Sequence, residues 1–312
     1  MDIFVIGMSC VDVIVHPVDR IDFSEDLERV DNIQLQTGGD SLNVTLNISS
    51  LGCDVGFCGH IGDDRAGKLV LEVLREKKVV TDSVVVDPAC QTAMSINLVH
   101  SDGSRHFLFQ GGGNYLLQDK DILVSALDRA RIVHIGGVFQ MPLYDGKGIE
   151  NTLRLAKEHG KLTSMDVNWD NSGKWMETIG CCIPLLDYFI PSEEEAYYLT
   201  GEKDYRKMTD RFLSMGAKHV IIKCGEKGSY YKDSEIEYFQ KAFKVNAVDT
   251  TGAGDSFVGG FLSGIAKGLD TISCLRFATA AAALCVQKMG SAAGMTAEKD
   301  VIDFLSTHVE PD

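Results

Sequence analysis

Apolar positions along this chain follow two periods. Short apolar runs at 3–7, 55–58, 132–135, 162–166, 188–190 and 219–223 read as buried strands. Between them, 41–51, 66–76, 147–159 and 193–199 repeat every three to four residues and read as helices. In the second of these, Leu69, Val70, Val73 and Leu74 share one face. The last third is mostly helical, at 252–267, 272–288 and 297–306. Strands alternating with helices predict an α/β fold whose largely parallel sheet is covered on both faces.

Two pairs of segments break this rhythm. Residues 11–15 with 33–37, and 93–99 with 105–110, alternate as short strands, and Ser101-Asp102-Gly103-Ser104 joins the second pair as a hairpin turn. No crossover helix follows them. They predict a small antiparallel sheet projecting from the main body, either a lid or a dimer clasp, with edges and a face to cover.

Composition narrows the classes. With 312 residues, 45% apolar and 24% charged, the chain is neither disordered nor collagen-like. The 45 acidic against 30 basic residues give −15, which argues against general nucleic-acid binding but not against one small anion. The N-terminus lacks a basic region, and the longest apolar stretch, about ten residues near 277–286, is too short to span a bilayer. Nine cysteines without a C-x-x-C pair predict reduced thiols in a cytoplasmic protein.

The most informative stretch is Val248-Asp249-Thr250-Thr251-Gly252-Ala253-Gly254-Asp255-Ser256-Phe257. Small residues opening a helix leave backbone N–H groups free for an anion, and the helix dipole adds to the attraction. A carboxylate there would repel a phosphate, unless Asp255 takes the proton of a hydroxyl that attacks it. The plainer alternative makes Asp249 and Thr250 helix caps, Asp255 a first-turn acid and the glycines a tight turn. Gly62-Asp63-Asp64-Arg65-Ala66-Gly67-Lys68-Leu69 imitates a phosphate loop, but Leu69 cannot ligate Mg²⁺ and two acids would repel phosphates. No G-x-G-x-x-G follows the first strand, so dinucleotide chemistry has little support.

The longer string Asp249 to Phe257 resembles the C-terminal motif of the ribokinase (PfkB) family of carbohydrate kinases. The family's N-terminal motif is matched by Thr37-Gly38-Gly39-Asp40-Ser41-Leu42-Asn43-Val44, then Leu51-Gly52 and Gly59-His60-Ile61-Gly62-Asp63-Asp64-Arg65-Ala66-Gly67. The resemblance runs in order along essentially the whole chain. It implies a single ribokinase-like domain, 1–312, with lid strands inserted at about 11–37 and 92–111.

The resemblance further implies roles. Asp255 would be the catalytic base, and the N–H groups of Gly252, Ala253 and Gly254 the anion hole. Asp12, Gly39 and Asn43 would hold sugar hydroxyls, with Gln140 about where ribokinases place a sugar-binding Glu, and Asn168 in the Asp-x-Asn of Asp166-Val167-Asn168. Lys223 would reach the ATP phosphates, Gly225 and Gly228 would admit the nucleotide, and Thr279 would line the adenine pocket. Glu195 would hold Mg²⁺ through water, although Ser192 stands where the family motif has Asn. Asp170 stands where acid-sugar kinases often carry Arg, which argues against an anionic keto-acid. Asp40 and Ser41 replace the Lys-Gly common in true ribokinases, which argues against ribose itself. Gly290-Ser291-Ala292-Ala293-Gly294 occupies the monovalent-cation loop, and Gly294 lacks a hydroxyl some members use, leaving K⁺ activation open.

The expected activity is transfer of the γ-phosphoryl group of ATP to a hydroxyl of a monosaccharide or related polyol, with no nucleic-acid or membrane partner and with a homodimer through the lid as one way to cover it. Three alternatives stay open. A nucleoside kinase would use Phe107, Phe109 and Phe139 around a base, and a phosphosugar kinase would use Arg105. A non-catalytic sensor would have no need of Asp255.

Overall fold

The first strand shows why the main sheet is covered on both sides. Every residue of β1 (Ile3–Gly7) is buried, with Ile3 and Val5 in one apolar cluster and Phe4 and Ile6 in another. Alternate side chains of a strand point to opposite faces, so a continuous apolar run needs helices on each. The structure is a computed structural model and describes residues 1–24, 26–288 and 296–308.

The chain then forms β2 (Cys10–His16), β3 (Asn32–Gly38), α1 (Asp40–Ser50), β4 (Val55–Cys58), β5 (His60–Gly62) and α2 (Arg65–Glu76). Next come β6 (Val85–Asp87), β7 (Met94–Val99), β8 (Arg105–Gln110), α3 (Val124–Arg129), β9 (Ile132–Val138) and α4 (Lys147–Glu158). They are followed by β10 (Leu162–Val167), α5 (Met176–Ile179), β11 (Tyr188–Phe189), α6 (Glu193–Thr200), α7 (Tyr205–Ser214) and β12 (His219–Lys223). The chain closes with β13 (Gly228–Lys232), β14 (Glu237–Lys241), α8 (Ala253–Ala266), α9 (Thr271–Cys285) and α10 (Glu298–Thr307).

The large sheet has eight strands in the order β14-β13-β12-β11-β10-β9-β1-β4. Six run parallel, and the β13–β14 hairpin adds an antiparallel edge. This is the largely parallel α/β sheet that the sequence pattern predicts. The hairpin was not legible as strands, because 228–241 carries more polar and aromatic residues than apolar ones and follows a glycine-rich turn. The smaller sheet has the order β3-β2-β7-β8. Its two outer pairings are antiparallel, as expected, while its central pairing, β2 with β7, is parallel. Among the described residues, no helix is long and apolar enough to cross a membrane.

The imitation phosphate loop is a strand end followed by a helix cap. Asp64 Oδ1 accepts from the Gly67 N–H at 2.7 Å and so caps α2, an interaction worth about 1 kcal/mol. The same carboxylate also accepts from the Thr92 N–H and hydroxyl, each at 2.8 Å.

Candidate active site

From β1 the chain turns first to β4 on one side and later to β9 on the other. Such a reversal opens a crevice beyond the carboxyl ends of the strands, where α/β sheets receive ligands. Asp166 near the end of β10 and Lys223 at the end of β12 both point there, Lys223 Nζ lying 3.9 Å from Asp166 Oδ2. Gly39 turns the chain from β3 into α1 at φ +95°, a conformation L side chains rarely adopt. A Cβ there would also lie 2.8 Å from Ser9 Cα.

Helix α8 brings Asp255 to the same place. Gly252 caps it in the left-handed conformation (φ 76°), with no side-chain cap hydrogen bond among the described residues. Ala253 N–H already donates to Thr250 carbonyl at 3.3 Å, so it has a turn partner as well as an outward exposure. Small contacts dock α8 on α1: a Cβ on Gly259 would meet Asn47 Cβ at 2.8 Å, and Ser256 Oγ donates to Asn47 Oδ1 at 3.3 Å. One turn away, Asn43 Nδ2 donates to Asp255 Oδ2 at 2.8 Å. Two residues 212 positions apart in sequence thus share one hydrogen bond.

The electrostatics are concentrated. Burial raises the Asp255 carboxyl above its ordinary range, opposed by the Asn43 hydrogen bond and the Lys223 charge and reinforced by Glu195. Burial also raises Asp166 and Asp40, and their mutual proximity to Asp255 adds to the shift. Lys223 is stabilised in its charged form by Asp166, Glu195, Asp255 and Asp40, against the desolvation that would lower it. Four carboxylates therefore share one ammonium. His134 contributes no charge, since burial pulls its pKa down to about 3.

Glu195 belongs to a capping box. Ser192 N–H donates to Glu195 Oε2 at 2.6 Å, and Glu195 N–H donates to Ser192 Oγ at 3.3 Å. Serine and asparagine are both strong N-caps, so Ser192 keeps the cap that an Asn there would make. Ser192 also bridges to Lys223, so the cap sets Glu195 beside the cluster. Asp166 Oδ1 is buried and has no hydrogen-bond partner among the described residues. Carboxylate oxygens with unused capacity suit a hard divalent cation.

The small sheet supplies a polar inner face. Asp12 is buried opposite Ser95, and Ser95 Oγ donates to Asn97 Oδ1 at 2.5 Å. Burial raises the Asp12 carboxyl, while hydrogen bonds from Cys10 and Asn97 oppose the rise. Gly38 leaves room for it, because a Cβ there would lie 2.0 Å from Asp12 Oδ2 and the carboxylate would have to move. Phe109 and Phe107, opposite Ser95 and Asn97 in the β7–β8 register, share this face. At the start of β8, Arg105 donates to Asp249 and Thr251, tying the small sheet to the turn that opens α8. Asp249 Oδ1 in turn accepts from Thr251 N–H at 2.9 Å.

Gln140 and Asn168 lie beyond β9 and β10. Gln140 Nε2 donates to the Trp169 carbonyl at 2.9 Å, and Asn168 Oδ1 accepts from Trp169 N–H at 2.8 Å. Asp170 is committed to its own turn, accepting from Ser172 N–H at 2.8 Å and from Trp175 N–H at 2.5 Å. That turn brings Trp175 against Tyr198, with ring centroids 5.1 Å apart and planes at 13°.

On the far side, Gly225 lies in an exposed turn and Gly228 begins β13, where a Cβ would collide with the Gln240 carbonyl at 1.9 Å. Close strand packing alone therefore demands Gly228. Thr279 is buried in α9 and donates to the Leu275 carbonyl at 2.8 Å. An open groove of about 530 Å³ between the end of α9 and α10 is lined by Leu284, Lys288 and Phe304 among others, and Thr279 does not line it. Residues 290–294, the expected monovalent-cation loop, lie outside the described residues.

The structure thus brings Asp255, Gly252, Gly254, Asn43, Lys223 and Glu195 together, and joins Asp12 to a second polar group beneath the small sheet. Sequence reasoning passed over Ser95 and Asn97, whose signal was two polar residues alternating inside an apolar strand. It also gave no role to Asp40 or Asp166, although an acid at the end of a buried strand was a usable sign.

Comparison with known proteins gives the family. The profile of the pfkB family carbohydrate kinases matches residues 1–298. The chain is 29% identical over 288 residues to probable fructokinase-2 of Arabidopsis thaliana, covering 88% of each chain. It is 30% identical over 270 residues to fructokinase-2 of Oryza sativa subsp. japonica, covering 81% of this chain and 80% of the relative. Among solved structures, Arabidopsis thaliana ribokinase complexed with ribose and ATP superposes with a TM-score of 0.86 at 27% identity, over 98% of this chain and 99% of that one. With the family profile spanning nearly its whole length, this chain belongs to the pfkB family of carbohydrate kinases.

Proposed function

We propose that this chain uses ATP to phosphorylate a free monosaccharide, fructose before ribose, with Asp255 as the base. The observation that carries the reading is the 2.8 Å bond from Asn43 to Asp255, which fixes a half-buried carboxylate at a helix N-terminus beside the loop that would hold the sugar. Asp12, Gly39, Asn43, Gln140 and Asn168 would orient the acceptor. Asp255 would take the proton from its attacking hydroxyl, and the N–H groups of Gly252, Ala253 and Gly254 would meet the phosphoryl oxygens. Lys223 would face the phosphates of ATP, with Gly225, Gly228 and Thr279 on the nucleotide side. Glu195 and Asp166 offer the oxygen ligands that Mg²⁺ prefers, and Mg²⁺ would neutralise phosphate charge beside this acidic cluster. The single-domain division, with strands inserted at about 11–37 and 92–111 acting as a lid, belongs to the same proposal. Nine free cysteines, seven of them buried, fit a reducing cytoplasmic compartment.

The named relatives favour fructose, and Asp40 and Ser41 disfavour ribose. Arg105 is paired with Asp249 and Thr251, so it is not a spare cation waiting for a sugar phosphate. A nucleoside acceptor is the second reading, favoured by Phe107 and Phe109 on the inner face beside Ser95 and Asn97. Release of ADP over a panel of fructose, ribose, glucose, adenosine and fructose 6-phosphate tests both. Fructose should give the highest kcat/KM. Highest kcat/KM with adenosine would select the second reading, and tight ATP binding without any turnover would overturn both.

The outer face of the small sheet carries Leu35, Ile96 and Leu108, which with Val13 form one cross-strand row, and all three are exposed. A second copy of the chain would cover this apolar face and give a homodimer through the lid. Light scattering should then report a dimer that Leu35→Glu converts to a monomer, whereas a monomeric parent protein would refute it.

A further inference from the structure

We propose that His60, Asp87 and Cys90 form a binding site for a borderline divalent transition ion of the Zn²⁺ class, at the root of the small sheet and apart from the acidic cluster around Lys223. His60 begins β5, and Asp87 ends β6, which pairs with it in parallel. The turn after β6 folds back on itself. Asp87 Oδ1 accepts from Ala89 N–H at 2.8 Å, and Cys90 N–H donates to the Asp87 carbonyl at 3.3 Å. Cys90 Sγ is thereby held over Asp87, 3.6 Å from its carbonyl oxygen. Because Oδ1 is engaged by the turn, Oδ2 is the oxygen left to face His60 Nε2, at 3.3 Å.

One atom from each of the three residues lies within 4.8 Å of the other two. Zinc bonds of about 2.0–2.3 Å place tetrahedral ligand atoms about 3–4 Å apart, so the His60–Asp87 pair is already in range and a shift of about 1 Å closes the set. A second observation concerns the other ring nitrogen. His60 is buried, and its Nδ1 has no hydrogen-bond partner among the described residues but stands 3.8 Å from Asp121 Oδ2. Asp121 is itself fixed, since the same oxygen accepts from Gln118 N–H at 2.9 Å. Metal-bound histidines characteristically direct the far N–H at a carboxylate, which sets the tautomer and leaves the near nitrogen for the ion.

The donor set chooses the ion. One imidazole nitrogen, one carboxylate oxygen and one sulfur suit Zn²⁺ and its neighbours, whereas Mg²⁺ and Ca²⁺ favour oxygen alone. Binding displaces the thiol proton of Cys90 to solvent, while the single proton of neutral His60 sits on Nδ1 toward Asp121 and leaves Nε2 for the ion. Three protein ligands leave the fourth position for water. Two residues after Cys90, Thr92 is bonded to Asp64 and Gly62 just before β7 begins. A bound ion would therefore staple the entry of a central strand of the small sheet to β5 and β6.

The test uses the full chain freed of metal by chelation. One equivalent of Co²⁺ should produce a thiolate-to-cobalt charge-transfer band, and Zn²⁺ should displace it. Cys90→Ser should abolish the band, and Cys181→Ser, at an exposed thiol elsewhere, should retain it. Asp121→Asn should weaken Zn²⁺ binding by about 10–100-fold. Should Cys90→Ser fail to fold, alkylation of Cys90 in the unaltered chain, read by mass spectrometry, replaces it. Zn²⁺ should slow that reaction at least about tenfold. No band with Co²⁺, a band that survives Cys90→Ser, or alkylation unaffected by Zn²⁺ would each overturn the site.

Discussion

Asp255→Asn should lower kcat by at least about 10²–10⁴-fold, the usual contribution of a positioned general base, while ATP binding and the melting temperature stay close to those of the parent. The substitution is nearly isosteric. Its amide oxygen can still accept from Asn43 Nδ2, so the contact between α1 and α8 survives and only the proton acceptor is lost. The pH dependence gives an independent reading. A base works only when ionised, and burial raises the Asp255 carboxyl above the ordinary aspartate range. The kcat/KM of the parent should therefore fall on the acid side at a higher pH than a solvent-exposed aspartate would give. The residual rate of Asp255→Asn should lack that limb. Steady-state kinetics across pH, with calorimetry for ATP, checks both. Near-parental turnover, or an acid limb that persists in the variant, would remove Asp255 from the role of base.

How much of this site could be read from the sequence depends on the range of the interaction concerned. Strand β1 and the small-sheet segments were legible because their apolar or alternating patterns are local, and their observed ends lie within one residue of expectation. The Gly252-Ala253-Gly254-Asp255 turn was legible for the same reason, since cap geometry and helix start sit within a few residues. Charge sharing was not. Asp40, Asp166, Glu195 and Lys223 come from four elements, and nothing in their spacing says that they meet around one ammonium. Arg105 is a similar case. From the sequence it reads as a cation open to a sugar phosphate, and only the fold turns it onto Asp249 and Thr251. The hairpin of β13 and β14 escaped because its composition is polar, and its first glycine is demanded by the Gln240 carbonyl, a tertiary contact.

That shared charge makes Lys223→Met the other substitution with a large expected effect. Lys223 Nζ lies 3.9 Å from Asp166 Oδ2 and offsets Asp255, Asp40 and Glu195 as well. Deleting one partner of a buried ion pair costs about 3–5 kcal/mol when the remaining charge stays uncompensated. Here the carboxyls can escape part of that cost by taking up protons, which fixes the sign of the pH dependence. Without the ammonium, the folded-state pKa values of Asp166 and Asp255 rise further above their unfolded values. Stability contributed by such groups is complete below the unfolded pKa and is lost as pH rises through the folded one. The variant should therefore be close to the parent in urea midpoint near pH 4 and fall progressively behind it toward pH 8. The acid limb of its kcat/KM should move to higher pH, because the charge that held the Asp255 carboxyl down is gone, and the KM for ATP should rise with it. Urea titrations at the two pH values and a pH–rate profile decide the matter. Equal midpoints at both and an unmoved limb would show that Lys223 does not balance the cluster.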